Sequence, residues 1–319
     1  MPCRSAVLCA PLVAALLHLP ARASELPAPS EGDAKAPVVE TARRQVRSTA
    51  EWLARGVDSW FGDKPFSEGG KVSDGQLSLR LLSRQDEDKP EFGIRFNARF
   101  RLPNLEENAY VFIGRDDQRE VVTDKPNSFS NEQLLLRGNA DNRSFFAGLG
   151  LRLRDTVDLR LGFRGGLKPY AQARAGKSYW FGAANRLDLR ETVFWTPGDT
   201  LGSTTALSYE HAFSPELAAR WLNAATITRR LQKFEWSSSV GAYRYFGDQR
   251  LLSLEALVRG VQGAEVPVAD YGLQLKWEQP VYEDWLIGEL ILGHFWPRPD
   301  ALAERGQAWA IGGSLKMKF

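Results

Sequence analysis

From about residue 75 onward the chain alternates apolar and polar residues with a period of two. The clearest run sets Phe92, Ile94, Phe96, Ala98, Phe100 and Leu102 on one face and Gly93, Arg95, Asn97, Arg99 and Arg101 on the other, a sorting that a strand achieves and a helix does not. The pattern returns in Ala147, Leu149, Leu151 and Leu153 against Gly148, Gly150, Arg152 and Arg154. Only Asp155 and Thr156 separate this run from the next, in which Val157, Leu159, Leu161 and Phe163 alternate with Asp158, Arg160, Gly162 and Arg164. Later runs are Phe234, Trp236, Val240 and Ala242; Leu252, Leu254, Ala256 and Val258; Tyr271, Leu273, Leu275 and Trp277; and Trp309, Ile311, Gly313, Leu315, Met317 and Phe319. These segments are longer than the usual strand of about five or six residues and match the roughly 9–11 tilted residues that cross a bilayer.

Placing short turns at one end and longer loops at the other predicts fourteen strands, near 75–84, 91–102, 108–116, 144–154, 157–165, 168–177, 186–196, 201–211, 217–228, 232–244, 251–260, 269–279, 285–296 and 308–319. The fold class is therefore all-β, a transmembrane antiparallel up-and-down β-barrel over residues 72–319. Gln133 to Arg137 offers a fifteenth strand, but termini on one side of the membrane require an even number, so 12 and 16 stay open as alternatives. A soluble sandwich also alternates, yet its solvent face seldom mixes so many arginines with glycines. Tryptophans divide as an aromatic girdle should: Trp195, Trp236, Trp296 and Trp309 fall near the outer ends, and Trp180, Trp221, Trp277 and Trp285 near the periplasmic ends. Glu191 and Asn223 dissent, since they take the apolar parity, and a bulge or an interface position is expected there.

The beginning of the chain follows other rules. Arg4, the apolar stretch Ala6 to Leu19 and the small-residue site Ala21-Arg22-Ala23 read as a signal peptide over residues 1–23, removed before Ser24. Both cysteines, Cys3 and Cys9, lie within it, and Leu8 before Cys9 is a poor lipoprotein context, so the exported chain is expected to be free of cysteine. Residues 24–37, rich in proline and alanine, read as a disordered tether. Val39, Ala42, Val46, Thr49, Leu53, Val57 and Trp60 then recur at spacings of three and four, predicting an amphipathic periplasmic helix over 38–62 that ends at Gly62 and is about 35 Å long. Its polar side carries Arg43, Arg44, Arg47 and Arg55 against Glu40, Glu51 and Asp58. Such a basic face beside an arginine-rich lumen disfavours a plug, and the stripe ending in Trp52, Trp60 and Phe61 suits the inner-leaflet interface or a periplasmic partner.

The terminal strand, alternating from Trp309 and ending on Phe319, together with the signal peptide, resembles Gram-negative outer-membrane β-barrel proteins, in which such an ending is the assembly signal. The resemblance covers roughly residues 72–319, and the Leu102-Pro103-Asn104-Leu105 turn is similar to turns of uncharacterised predicted outer-membrane proteins of proteobacteria. It implies location in the outer membrane, contact with outer-membrane lipids and recognition of the last strand by the barrel-assembly machinery; it implies no reaction.

Charge refines the picture through its placement. With Arg4 and Arg22 removed from the 41 basic residues, the exported chain is formally neutral against its 39 acids, which gives no reason to expect a nucleic-acid partner. Inward parity puts Arg80, Arg84, Arg95, Arg99, Arg101, Arg152, Arg154, Arg160, Arg164, Lys168, Arg174, Arg186 and Arg190 on the first seven strands, with Asp158 and Asp188. The other seven balance Arg220, Lys233, Arg259, Lys276, Lys316 and Lys318 against Glu210, Glu235, Glu255, Glu278 and Glu289. Two readings stand side by side: the arginines pair with acids of folded-in loops, such as Asp86, Glu87, Asp88, Asp116, Asp117, Glu120 and Asp124, or they form a positive wall that favours anionic solutes.

Catalysis finds little material. His211 and His294 are the histidines of the exported chain, both with outward parity. His211-Ala212-Phe213-Ser214 departs from the His-x-Ser arrangement of outer-membrane phospholipases, and the rim pair Asp116 and Asp117 is far in sequence from His294. No phosphate-cradling glycine loop, EF-hand or metal-ligand cluster is present, so no cofactor and no metal is expected. The reading is a passive channel or membrane scaffold without an enzymatic role; a hydrolase acting on lipid or peptide at the rim is the alternative.

Overall fold

The computed structural model describes residues 38–58, 71–87, 89–101, 108–123, 143–154, 156–247 and 249–319. The signal peptide and tether, the Gly62 stop, Trp60, Phe61, Asp88, the 102–105 turn, Asp124, the 133–137 segment and Asp155 lie outside these residues. The chain falls into two units, 1–42 and 43–319, and the second holds the strands and all but the opening of helix α1 (Val38–Asp58).

Fourteen strands follow: β1 (Lys71–Arg84), β2 (Glu91–Arg101), β3 (Ala109–Asp117), β4 (Arg143–Arg154), β5 (Val157–Arg164), β6 (Lys168–Phe181), β7 (Asn185–Thr196), β8 (Thr200–Ala212), β9 (Leu217–Thr228), β10 (Glu235–Phe246), β11 (Arg250–Val261), β12 (Val268–Tyr282), β13 (Leu286–Phe295) and β14 (Ala308–Lys318). A second helix, α2 (Gln118–Thr123), follows β3. Each strand pairs antiparallel with its neighbours in sequence, and β1 closes on β14 from Gln76↔Lys318 to Arg84↔Ala310. The fold class is as expected, and fourteen replaces the alternatives of twelve and sixteen. β3 pairs directly with β4, from Ala109↔Leu151 to Asp117↔Arg143, so the ring has no place between them for another strand.

The two faces sort inversely to those of a soluble protein. Leu81, Phe92, Leu161, Leu254, Leu292 and Ile311 stand exposed on the outside, while Ser78, Arg80, Thr204, Thr226, Gln274 and Lys316 are buried within. An apolar exterior around a polar interior is stable where hydrocarbon, not water, surrounds the wall. Aromatic rings also brace this wall by lying over glycines. Tyr110 crosses Gly150 so closely that a Cβ there would stand 2.1 Å from its ring, which side-chain-free backbone alone permits.

Register shifts occur at Val72/Asp74, Arg152/Arg154, Arg259/Gly260 and Pro280/Tyr282. The bulge expected near Glu191 and Asn223 is absent: β7 to β10 pair without a shift, because Glu191 accepts hydrogen bonds from Ser203 and Thr205 of β8 and needs no backbone detour.

Helix α1 meets the outside of this wall. Ala50, 1% exposed, packs on Ala98, Phe100 and Val111, with Val72, Phe96, Ile113 and Phe319 around them. Phe96, Ala98 and Phe100 share the face of exposed Phe92 and Ile94, so this part of the helix lies outside the lumen. Arg43 anchors the contact: its Nε donates to the Lys318 carbonyl at 3.2 Å, and its guanidinium sits 4.7 Å from the Trp285 ring centre. Deleting residues 24–62 is therefore expected to leave single-channel conductance unchanged while uncovering Ala98 and Phe100 and costing about 1–3 kcal/mol of stability. Urea titration followed by band shift on electrophoresis measures the cost. A large rise in conductance would instead show that the helix had obstructed the lumen.

Candidate functional site: the barrel interior

Alternation brings inward side chains of β2 and β4–β9 around one cavity of about 940 Å³. Its lining lies at the end of the barrel where β4 ends and β5 begins. Seven arginines and Lys177 line it, the arginines being Arg99, Arg152, Arg154, Arg174, Arg186, Arg190 and Arg220, against Asp158, Asp188 and Glu210.

Arg186 pairs with Asp188 at 3.0 Å and Arg220 donates to the Tyr243 hydroxyl at 2.7 Å; among the other inward arginines two groups stand apart. Asp158 gathers several of the first: it accepts from the Tyr110 hydroxyl at 2.7 Å and from Arg174 at 2.5 Å, and Arg160 Nε lies 3.2 Å away. Arg95 pairs with Asp116 at 3.1 Å, Arg164 reaches Asp199 at 3.9 Å, and Arg84 bonds Asp86 at 2.6 Å and Asp270 at 2.7 Å. Each pair offsets a desolvation cost that an isolated guanidinium would bear. The second group is Arg99, Arg152 and Arg154, for which no ion pair is found among the described residues; Arg99 lies over the Tyr110 ring at 5.7 Å. Arg101, at the very end of β2, is exposed.

Across the barrel the charges compensate locally. Glu289 bonds Lys316 and Ser314, and Glu278 lies 3.7 Å from Lys316 and 3.9 Å from Lys276. Glu255, fully buried, accepts from Gln274 Nε2 at 2.8 Å. Glu210 lines the cavity, and Glu235 is half-buried at the start of β10. Lys233 departs from expectation: β10 begins two residues later, and Lys233 is exposed in the turn before it.

Toward the far end two apolar clusters lie beside the Arg84–Asp270 and Arg164–Asp199 pairs, which the alternation pattern did not foretell. Helix α2, in the β3–β4 connection, enters the barrel: Val122, 1% exposed, packs with Phe112, Tyr170 and Phe194, flanked by Tyr110, Val121 and Phe146. Gln172 Nε2 donates to the carbonyls of Val122 at 2.8 Å and Val121 at 3.4 Å, satisfying backbone that a side-chain cluster could not. The signal available in sequence was the pair Val121-Val122 within a polar connection. On the opposite arc Leu82, Leu257, Ile291, Phe295 and Ala310 form a second buried cluster.

The outer aromatics stand as follows. Trp195, Trp221 and Trp309 are exposed, and Trp236, Trp277 and Trp296 are half-buried, with Trp277 beside Phe246 and Trp296 stacked on Tyr271. Trp285 differs from the girdle expectation: it is 2% exposed, enclosed by Arg43 and Tyr282, because the turn between β12 and β13 lies under α1. His294 sits between Trp296 and Trp309, on the opposite face of the wall from Asp116, which Arg95 holds. His211 Nδ1 lies 2.8 Å from Asn185 Oδ1 and its ring meets Phe213, while Ser214 Oγ accepts from the N–H groups of Glu216 and Leu217. Among the described residues these side chains do not converge on a common point.

No family model and no curated protein matches the chain. Solved structures that resemble it include a KdgM porin in complex with disordered oligogalacturonate (6% identity, 76% of this chain and 99% of that one, TM-score 0.37). Others are OmpT of Vibrio cholerae (13% identity, 78% and 98%, TM-score 0.44) and OpdR of Pseudomonas aeruginosa (10% identity, 79% and 97%, TM-score 0.42). A closed ring of fourteen antiparallel strands, apolar outside and charged within, is the architecture of a transmembrane β-barrel.

Proposed function

We propose that this protein is a passive outer-membrane channel whose periplasmic half concentrates anionic solutes. The observation that carries the reading is the cavity of about 940 Å³ with seven arginines and one lysine against three acids. A confined space with low-dielectric walls of one sign focuses its field and raises the local concentration of the opposite charge. Arg99, Arg152 and Arg154 contribute most, since the charges of Arg95, Arg160, Arg164 and Arg174 are offset by nearby carboxylates. In the same reading, outer-membrane lipids surround the wall, and the last strand with Phe319 is what the barrel-assembly machinery engages.

The test is the reversal potential of the mature protein in planar bilayers under a tenfold potassium chloride gradient. Chloride preference is expected in the wild type, and the triple variant Arg99→Glu, Arg152→Glu, Arg154→Glu should reverse the sign of the potential. Cation preference in the wild type, or a silent barrel, overturns the proposal.

A further inference from the structure

The charges that line the cavity are unevenly spread. Its three acids stand on β5, β7 and β8. Asp158 lies across the ladder from Arg174, Glu210 from Arg186 and Arg220, and Asp188 holds Arg186 at 3.0 Å. On the β2–β4 arc the lining holds Arg99, Arg152 and Arg154 and no acid. Arg152 does face Asp158 across the β4–β5 pair, but that carboxylate is committed elsewhere: both its oxygens accept from Tyr110, one also from Arg174, and Arg160 lies beside it. Arg152 and Arg154 are exposed to the cavity and Arg99 is half-buried, so all three are open to a solute. Two hydroxyls join them in the lining, Thr156 in the β4–β5 turn and Ser208 on β8, neither with a hydrogen bond among the described residues.

Arg152 and Arg154 project from the same face of β4 with Cα atoms about 7 Å apart, and Arg99 stands two strands away, about 10 Å. Each guanidinium offers a planar fork of donors that fits the oxygens of a phosphate or a carboxylate. A chloride ion meets one fork at a time, whereas linked phosphates meet several at once. Each phosphate group brings up to about two charges and three acceptor oxygens, where a carboxylate brings one charge and two oxygens. The cavity, about 940 Å³, lies at the upper end of the roughly 300–1,000 Å³ usual for small-molecule sites, so such a solute fits whole. Its lining offers few apolar groups, Val157, Leu189 and Ala206 among them, which suits a polar frame between the phosphates.

We propose that Arg99, Arg152 and Arg154 form a saturable site, one per barrel, for a solute that carries two or three closely spaced phosphate groups. The proposal rests on the reading of the cavity as a concentrator of anions and deepens it, since the three arginines then hold a solute in place instead of only raising its local concentration.

Inorganic tripolyphosphate is the probe, titrated calorimetrically into the folded mature protein in detergent at fixed ionic strength. Saturation at one tripolyphosphate per chain is expected, with orthophosphate about a hundredfold weaker and citrate about tenfold weaker. The triple variant Arg99→Gln, Arg152→Gln, Arg154→Gln should bind at least about thirtyfold more weakly. Arg250→Gln removes the same kind of charge from an exposed position at the start of β11, outside the lining, and should bind as the wild type does. Heat-modifiability reports a folded barrel; where the triple variant does not fold, Arg152→Gln alone, which gives up no described ion pair, should weaken binding about fivefold. Binding that never saturates, that exceeds one per chain or that survives these substitutions overturns the site, and citrate binding as tightly as tripolyphosphate overturns its assignment to phosphate. Chloride preference in bilayers without saturable binding leaves the channel and overturns the site, whereas saturable binding by a barrel silent in bilayers supports the site and removes the channel.

Discussion

Deleting Phe319 is expected to remove nearly all heat-modifiable protein from the outer-membrane fraction, with the chain degraded in the periplasm. The residue does three things at the seam where β1 meets β14. Its N–H donates to the Gly75 carbonyl at 3.0 Å, extending the closing ladder. Its ring lies over Gly75, where a Cβ would come within 2.4 Å of it, and stacks on Phe96 at 6.1 Å and 10°. It also borders the apolar cluster on which Ala50 of α1 rests. The half-buried ring by itself is worth about 1.5 kcal/mol, but closure of the seam is all-or-none, since an unpaired strand edge inside hydrocarbon leaves backbone groups without partners. Phe319→Tyr preserves the stack and should insert normally, whereas Phe319→Ala should be intermediate. Full outer-membrane levels of the deletion variant, measured by band shift without boiling, would show that the terminal aromatic is dispensable.

Displacing α2 should have the second large effect, on conductance. Val122→Asp would set a carboxylate against Phe112, Tyr170 and Phe194, and Gln172→Leu would leave the carbonyls of Val121 and Val122 without their donor. Together these changes release α2 from the inner wall. Single-channel conductance should rise roughly twofold or more as the interior widens, and chloride preference should persist because Arg99, Arg152 and Arg154 are untouched. Unchanged conductance with a folded barrel would mean that α2 does not set the narrowest part of the path.

The strands were legible because period-two alternation is local: a strand reports its two faces through adjacent residues, so Phe92 to Arg101 could be sorted without knowing any partner. Strand number followed, since antiparallel neighbours joined by short turns must pair in order, and 75–84 through 308–319 became β1 through β14 with shifts of a few residues at the ends. Parity names a side of the wall but not what waits there. Only tertiary structure decided that Asp116 holds Arg95, that Asp158 gathers Arg174, and that Arg99 lies over Tyr110, because those groups come from strands that touch through the ring. It likewise decided that Val122 fills part of the interior, that Trp285 lies beneath Arg43, and that Phe100 is covered by Ala50. A connection that folds inward and a helix that packs outside obey no periodicity of the barrel. Their place depends on which apolar surfaces remain uncovered once the ring has closed, which no local pattern records.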